Sequence, residues 1–99
     1  MPEEARRRFR VRLAVRYVGG SLPTDDLAAF EAALSRSLEG FTLRVADGLF
    51  DSVEIFAEVR APTSVDAAAR LDRAVDAALL RTGLFERFDV SGKSLHVHA

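Results

Sequence analysis

The sequence contains no cysteine and no tryptophan, only two histidines and three prolines among its 99 residues. Without cysteine there are no disulfides, no thiolate nucleophile and no cysteine-ligated zinc. No apolar run approaches the roughly 20 residues that a membrane-crossing helix needs. The opening segment, Met1-Pro-Glu-Glu-Ala-Arg-Arg-Arg, is charged and lacks the apolar stretch of a secretory signal. A cytoplasmic location without membrane contact is therefore expected. Charge of one sign is also lacking overall, because the net charge is -1. That balance hides a split: residues 1–20 carry six arginines against Glu3 and Glu4, whereas the remainder is acidic by five charges. Such asymmetry raises nucleic acid as a partner, and the near-neutral total argues against it.

What is present is ordinary for a globular chain. Hydrophobic residues make up 48% and charged residues 29%, too apolar a mixture for disorder. The length suits one domain, residues 1–99, with residues 1–7 expected as a flexible arm. Phe9, Val11, Leu13, Val15 and Tyr17 repeat with a period of two, which predicts a half-buried strand ended by Gly19-Gly20. A helix is expected next, with Thr24 as its N-cap and Asp25 and Asp26 at the positive end of its dipole. Leu27, Phe30, Leu34 and Leu38 form its apolar stripe, and Gly40 suits its end.

Two further alternating runs follow, Phe41-Leu43-Val45 and Val53-Ile55-Ala57-Val59, with Asp47-Gly48 between them. A two-residue turn at Asp47-Gly48 would place Ser52 and Glu54 on the core face. A loop from Asp47 to Asp51 keeps both apolar sets inward, sets Val45 opposite Val53 and pairs Arg44 with Glu54 on the outer face. The second helix begins at Thr63 or Ser64, with Asp66 as an acidic capping-box partner and an Asp66–Arg70 pair one turn apart, and stops at Gly83. Its buried stripe is Val65, Ala68, Leu71, Val75, Ala78 and Leu79. Leu13, Leu34, Ile55 and Val75 are the expected centre of the core.

The C-terminal segment reads either as one strand with a bulge near Gly92 or as a small terminal hairpin. The run Thr82-Gly-Leu-Phe with Val90, Leu95 and Val97 resembles the helix-to-hairpin ending of POTRA modules over about a fifth of the chain, and the upstream elements depart from that module. As a whole, the order β-α-β-β-α-β with one-face alternation resembles the ferredoxin-like split β-α-β plan: α+β, a four-stranded antiparallel sheet in the order 4-1-3-2, and both helices on one face. The resemblance implies a fold and no particular function.

Two constellations could carry chemistry. His96 and His98 share one face of a strand, but two ligands beside arginines make a poor cation site. Arg8, Arg10, Arg12 and Arg16 form a row that could track phosphates. RNA-recognition sheets of this plan also stack bases on central aromatics; here Phe56 stands alone between Glu54 and Glu58. No nucleophile, acid or base is set in a recognisable catalytic pattern, and the glycine-rich anion loop of acylphosphatases has no counterpart. Catalytic, cofactor and metal residues are accordingly expected to be none.

Leu49 and Phe50 at a loop tip, and Phe56 on a charged face, are apolar groups where polar ones are usual. The function expected is non-catalytic protein–protein association, as a homodimer or with another protein. The surface would comprise Phe56, Glu54, Glu58, Arg10, Arg12, Leu49 and Phe50. The alternative is a small-ligand-binding or enzymatic dimeric domain with its pocket between sheet and helices. Nucleic acid binding through the arginine row ranks third.

Overall fold

Strict alternation in the sequence becomes a sheet with one apolar and one charged face. The computed structural model describes residues 7–46 and 49–98. The elements are β1 (Arg7–Tyr17), α1 (Thr24–Leu34), β2 (Phe41–Ala46), β3 (Ser52–Ala61), α2 (Ser64–Thr82) and β4 (Phe88–His98), with a 3₁₀ turn at Phe85–Arg87 leading into β4. The strands stand in the order β2-β3-β1-β4, and every neighbouring pair is antiparallel. The fold is therefore α+β with an open four-stranded antiparallel sheet and two helices. No helix among the described residues is long and apolar enough to cross a membrane.

The two central strands, β1 and β3, turn Phe9 through Tyr17 and Val53 through Ala61, taken alternately, toward the helices. Phe30 and Leu34 of α1 and Leu71, Val75 and Leu79 of α2 complete that core with no exposed surface. Leu13, Leu34, Ile55 and Val75 are all fully buried. Val65 and Ala68, expected in the stripe of α2, are exposed and half-buried respectively, and Ala67 and Ala74 are buried in the stripe. The hairpin keeps the register that parity demands: Val45 lies opposite Val53 and Ala46 opposite Ser52, so five residues connect β2 to β3.

Helix ends depart from expectation in informative ways. Thr24 is the first residue of α1, and Pro23 precedes it as an N-cap with no side-chain hydrogen bond. The helix stops at Leu34, well before Gly40. Ser35 Oγ donates to the Ala32 carbonyl, and the Arg36 and Ser37 amides donate to Ala33 and Leu34. Serine hydroxyls compete for helix carbonyls and tighten the chain into i−3 turns. Gly40 turns the chain into β2 instead of capping α1. By contrast, α2 is capped as its sequence suggests. Thr63 accepts from the Asp66 amide at 3.1 Å, and Gly83 adopts a left-handed conformation (φ 76°). The Leu84 and Gly83 amides then donate to Leu79 and Leu80, closing a Schellman motif. The expected Asp66–Arg70 pair does not form; the Arg70 guanidinium donates to the Arg60 carbonyl.

The C-terminal segment is one strand with a bulge, not a hairpin. Asp89 pairs with Arg16 and Ser94 with Ala14, so Val90–Lys93 bulge out opposite Val15. Asp89 Oδ1 accepts from Ser91 Oγ at 2.8 Å and from the Gly92 amide at 3.2 Å. A Cβ on Gly92 would sit 2.8 Å from the Asp89 carboxylate, so a side chain there would have to displace the carboxylate that holds the bulge. The expected N-terminal arm lies outside the described residues except for Arg7, which already belongs to β1.

Candidate functional site

The sheet face opposite the helices is covered by no described element, and its side chains follow from strand register. Across β3, β1 and β4, Glu58 lies opposite Arg10 and Arg10 opposite His98. One row on, Thr42, Phe56, Arg12 and His96 stand side by side from β2 to β4. The next row is Arg44, Glu54, Ala14 and Ser94. Arg16 and Asp89 follow, and Arg8 opposite Arg60 closes the other end.

Glu54 is the electrostatic centre of this face. It is only 5% exposed, although it lies on the side away from the core. Arg12 donates to its Oε2 through Nε at 2.8 Å and through a terminal nitrogen. Arg44 brings a terminal nitrogen to 2.9 Å from Oε1. The hydrogen bonds from Arg12 hold the Glu54 carboxyl below its ordinary value near 4.5, against the burial that would raise it. Asp89 is lowered too, chiefly by the Ser91 hydroxyl and then by Arg16, whose guanidinium lies 3.3 Å away.

Two of the seven residues of the expected surface are therefore tied up within the chain itself. Arg12 and Glu54 are partners of each other, not free groups awaiting a ligand. Phe56 stays 37% exposed beside Thr42 and Arg12. Glu58 and Arg10 face each other in register but form no ion pair. Together with His98 they border a shallow recess of about 250 Å³ beside the Phe56 ring. The histidine side chains lie beside Arg12 and Arg10, as the cation argument requires.

Leu49 and Phe50 are not part of that recess. Asp51 Oδ2 accepts from the Leu22 amide at 2.8 Å, tying the hairpin loop to the turn after β1. This holds Phe50 under the Arg16 guanidinium, 5.3 Å from its ring centroid, while Leu49 is 90% exposed. The loop is thus anchored at the Arg16 end of the sheet.

Sequence reasoning missed two features. Lys93, in the β4 bulge, is nearly buried and its ammonium lies between Asp72 and Asp76 of α2. Burial acts to lower its pKa, and the hydrogen bonds to the two carboxylates outweigh that, leaving it above the ordinary lysine value. The i,i+4 spacing of Asp72 and Asp76 was the available signal. The second feature is a cleft of about 770 Å³ bordered by Arg36, Arg60, Arg70 and Arg73, contributed by three separate segments. Only the Arg70–Arg73 spacing on one helix face hinted at it.

No protein-family model, curated protein or solved structure matches the chain significantly.

Proposed function

We propose that the chain is a ferredoxin-like split β-α-β module that acts by protein–protein association, as a homodimer joined through the open sheet face. Read from β4, the strand order is β4-β1-β3-β2, which supports the assignment of the plan. The observation that carries the functional reading is the recess at Phe56, flanked by Arg10 and Glu58 that face one another unpaired. A two-fold axis through such a patch lets residue i meet j while j meets i. Arg10 of one copy then meets Glu58 of the other, around an apolar anchor. Four strands spaced by about 4.8 Å and some 30 Å long offer on the order of 600 Å² of projected face. That approaches the roughly 800 Å² per partner of a standard interface.

One observation favours a second reading. With Glu54 buried between two arginines, the face carries six arginines against Glu54, Glu58 and Asp89. The carboxylate expected to repel a nucleic acid backbone is already neutralised, which supports polyanion binding along the Arg8–Arg10 end; retention on heparin that falls steeply with salt would favour it. Homodimerisation is preferred because the surplus arginines, Arg8 and Arg60, stand at the rim, where salt screens them. Replacing Phe56 with Asp tests the preferred reading. Light scattering over a concentration series should give a dimer for the parent chain and a folded monomer for Phe56→Asp. A parent monomer at all concentrations, or an unchanged dimer in the variant, would overturn it.

A further inference from the structure

The cleft bordered by arginines lies where β2 falls short of β3. β2 begins at Phe41, opposite Ala57, so Glu58–Ala61 run on with no strand on that side. The turn after α1 and the first half of α2 wall the gap. Arg36 comes from the turn, Arg60 from β3, and Arg70 and Arg73 from α2. Leu38, Ala74 and Ala77 line the same space and give it an apolar side.

Charge in this cleft is unsatisfied. None of the four arginines forms an ion pair with a described residue, although Glu39 and Glu58 border the same space. Arg70 is spent partly on the Arg60 backbone carbonyl, which orients the Arg70 side chain along the cleft wall. Arg60 also stands directly opposite Arg8 across β1, a like-charge pairing that costs stability unless an anion offsets it. A neighbouring recess of about 260 Å³ brings Arg8 and Arg60 together with Glu39 and Glu58, so charge of both signs borders that end of the cleft. The volume of the main cleft is in the range of small-molecule sites. Guanidinium groups match phosphate oxygens through paired N–H donors, and they stack on planar rings.

We infer that this cleft, formed by the α1–β2 turn, the overhanging end of β3 and α2, is a binding site for a small organic phosphate. Its anionic oxygens would lie against Arg36, Arg60 and Arg73, with an apolar or planar body over Leu38, Ala74 and Ala77. The site adjoins the Phe56 recess, with Glu58 on the border of both, and its arginines from the α1–β2 turn and α2 lie outside that recess.

Isothermal titration calorimetry with adenosine diphosphate and with inorganic pyrophosphate tests the inference on the full chain. The diphosphate should bind with a Kd of about 1 mM or tighter at moderate salt, and more tightly than pyrophosphate. Arg36→Gln/Arg73→Gln should weaken the diphosphate at least about tenfold, with the circular dichroism spectrum unchanged, because both side chains are exposed. Arg87→Gln, which removes a surface arginine paired with Asp26 outside the cleft, should leave the affinity unaltered. Absence of binding would overturn the site, as would equal affinity in the double variant or equal weakening by Arg87→Gln. Pyrophosphate binding as tightly as the diphosphate would overturn the role of the apolar side.

Discussion

Glu54 and Glu58 lie four residues apart on the same face of β3, yet one is buried between two arginines and the other forms no ion pair with a described residue. Glu54 has Arg44 directly opposite on β2 and Arg12 diagonally across on β1, and it is buried between them. Glu58 has Arg10 opposite on β1 and no β2 residue paired with it on its other side, because β2 begins only at Phe41, opposite Ala57. The lower half of the face is therefore an electrostatically closed network, extended by Arg16 and Asp89. The upper half holds Arg8, Arg10, Glu58 and Arg60 with no ion pairs among the described residues. Strand length, more than charge composition, decides which carboxylate is structural.

Perturbing β3 position by position can break that comparison. The largest effect should come from its inner face. Ile55→Ala leaves a cavity at a fully buried site and should cost about 2–5 kcal/mol in a denaturant melt. A much smaller loss would mean that the inner face is not the one holding the helices.

Next should come the closed half of the outer face. Glu54 has a lowered pKa in the folded state, so its contribution to stability is complete above its ordinary value and is lost as pH falls through the folded value. Urea melts at stepped pH should show stability falling below about pH 4.5, and Glu54→Gln should be less stable than the parent at neutral pH and lose less on acidification. A parallel acid dependence in parent and variant would remove Glu54 from the account.

Lys93 gives a smaller, opposite dependence. Its pKa is raised, so its contribution is present below the ordinary value near 10.5 and declines as pH rises through the folded value. Lys93→Met should lower the stability at neutral pH by less than Ile55→Ala and flatten the alkaline limb. An unchanged alkaline limb would indicate that the clasp on Asp72 and Asp76 contributes nothing.

The parts of this fold that were legible in the sequence are those governed by period-two alternation. The odd-numbered residues of β1 and β3 fix their faces, and the same parity excludes a two-residue turn at Asp47-Gly48. Thr63 and Gly83 mark the ends of α2 because their roles are local. The end of α1 was not legible, since the Ser35 hydroxyl takes the Ala32 carbonyl and the Arg36 and Ser37 amides tighten into i−3 turns before Gly40 is reached. For β4, sequence left bulge and hairpin open; the Asp89 hydrogen bonds to Ser91 and Gly92 decide between them. At the candidate site, alternation placed Arg10, Arg12, Glu54, Phe56 and Glu58 on one face. It could not show that Glu54 is buried, because that depends on diagonal reach between strands. The arginine cleft was hidden for a related reason: it exists only because β2 begins at Phe41, leaving Glu58–Ala61 of β3 unpaired on that side.

We propose that the half of the outer face without ion pairs among the described residues is satisfied by a second copy of the chain, and a charge-swap cycle at Arg10 and Glu58 distinguishes this from a solvated face. Sedimentation equilibrium should show that Arg10→Glu and Glu58→Arg each weaken the dimer about tenfold or more, with little change in monomer stability. Arg10→Glu/Glu58→Arg should restore affinity to within about threefold of the parent, because the two-fold axis pairs the swapped charges again. Additive weakening in the double variant, or a dimer indifferent to all three, would contradict the account.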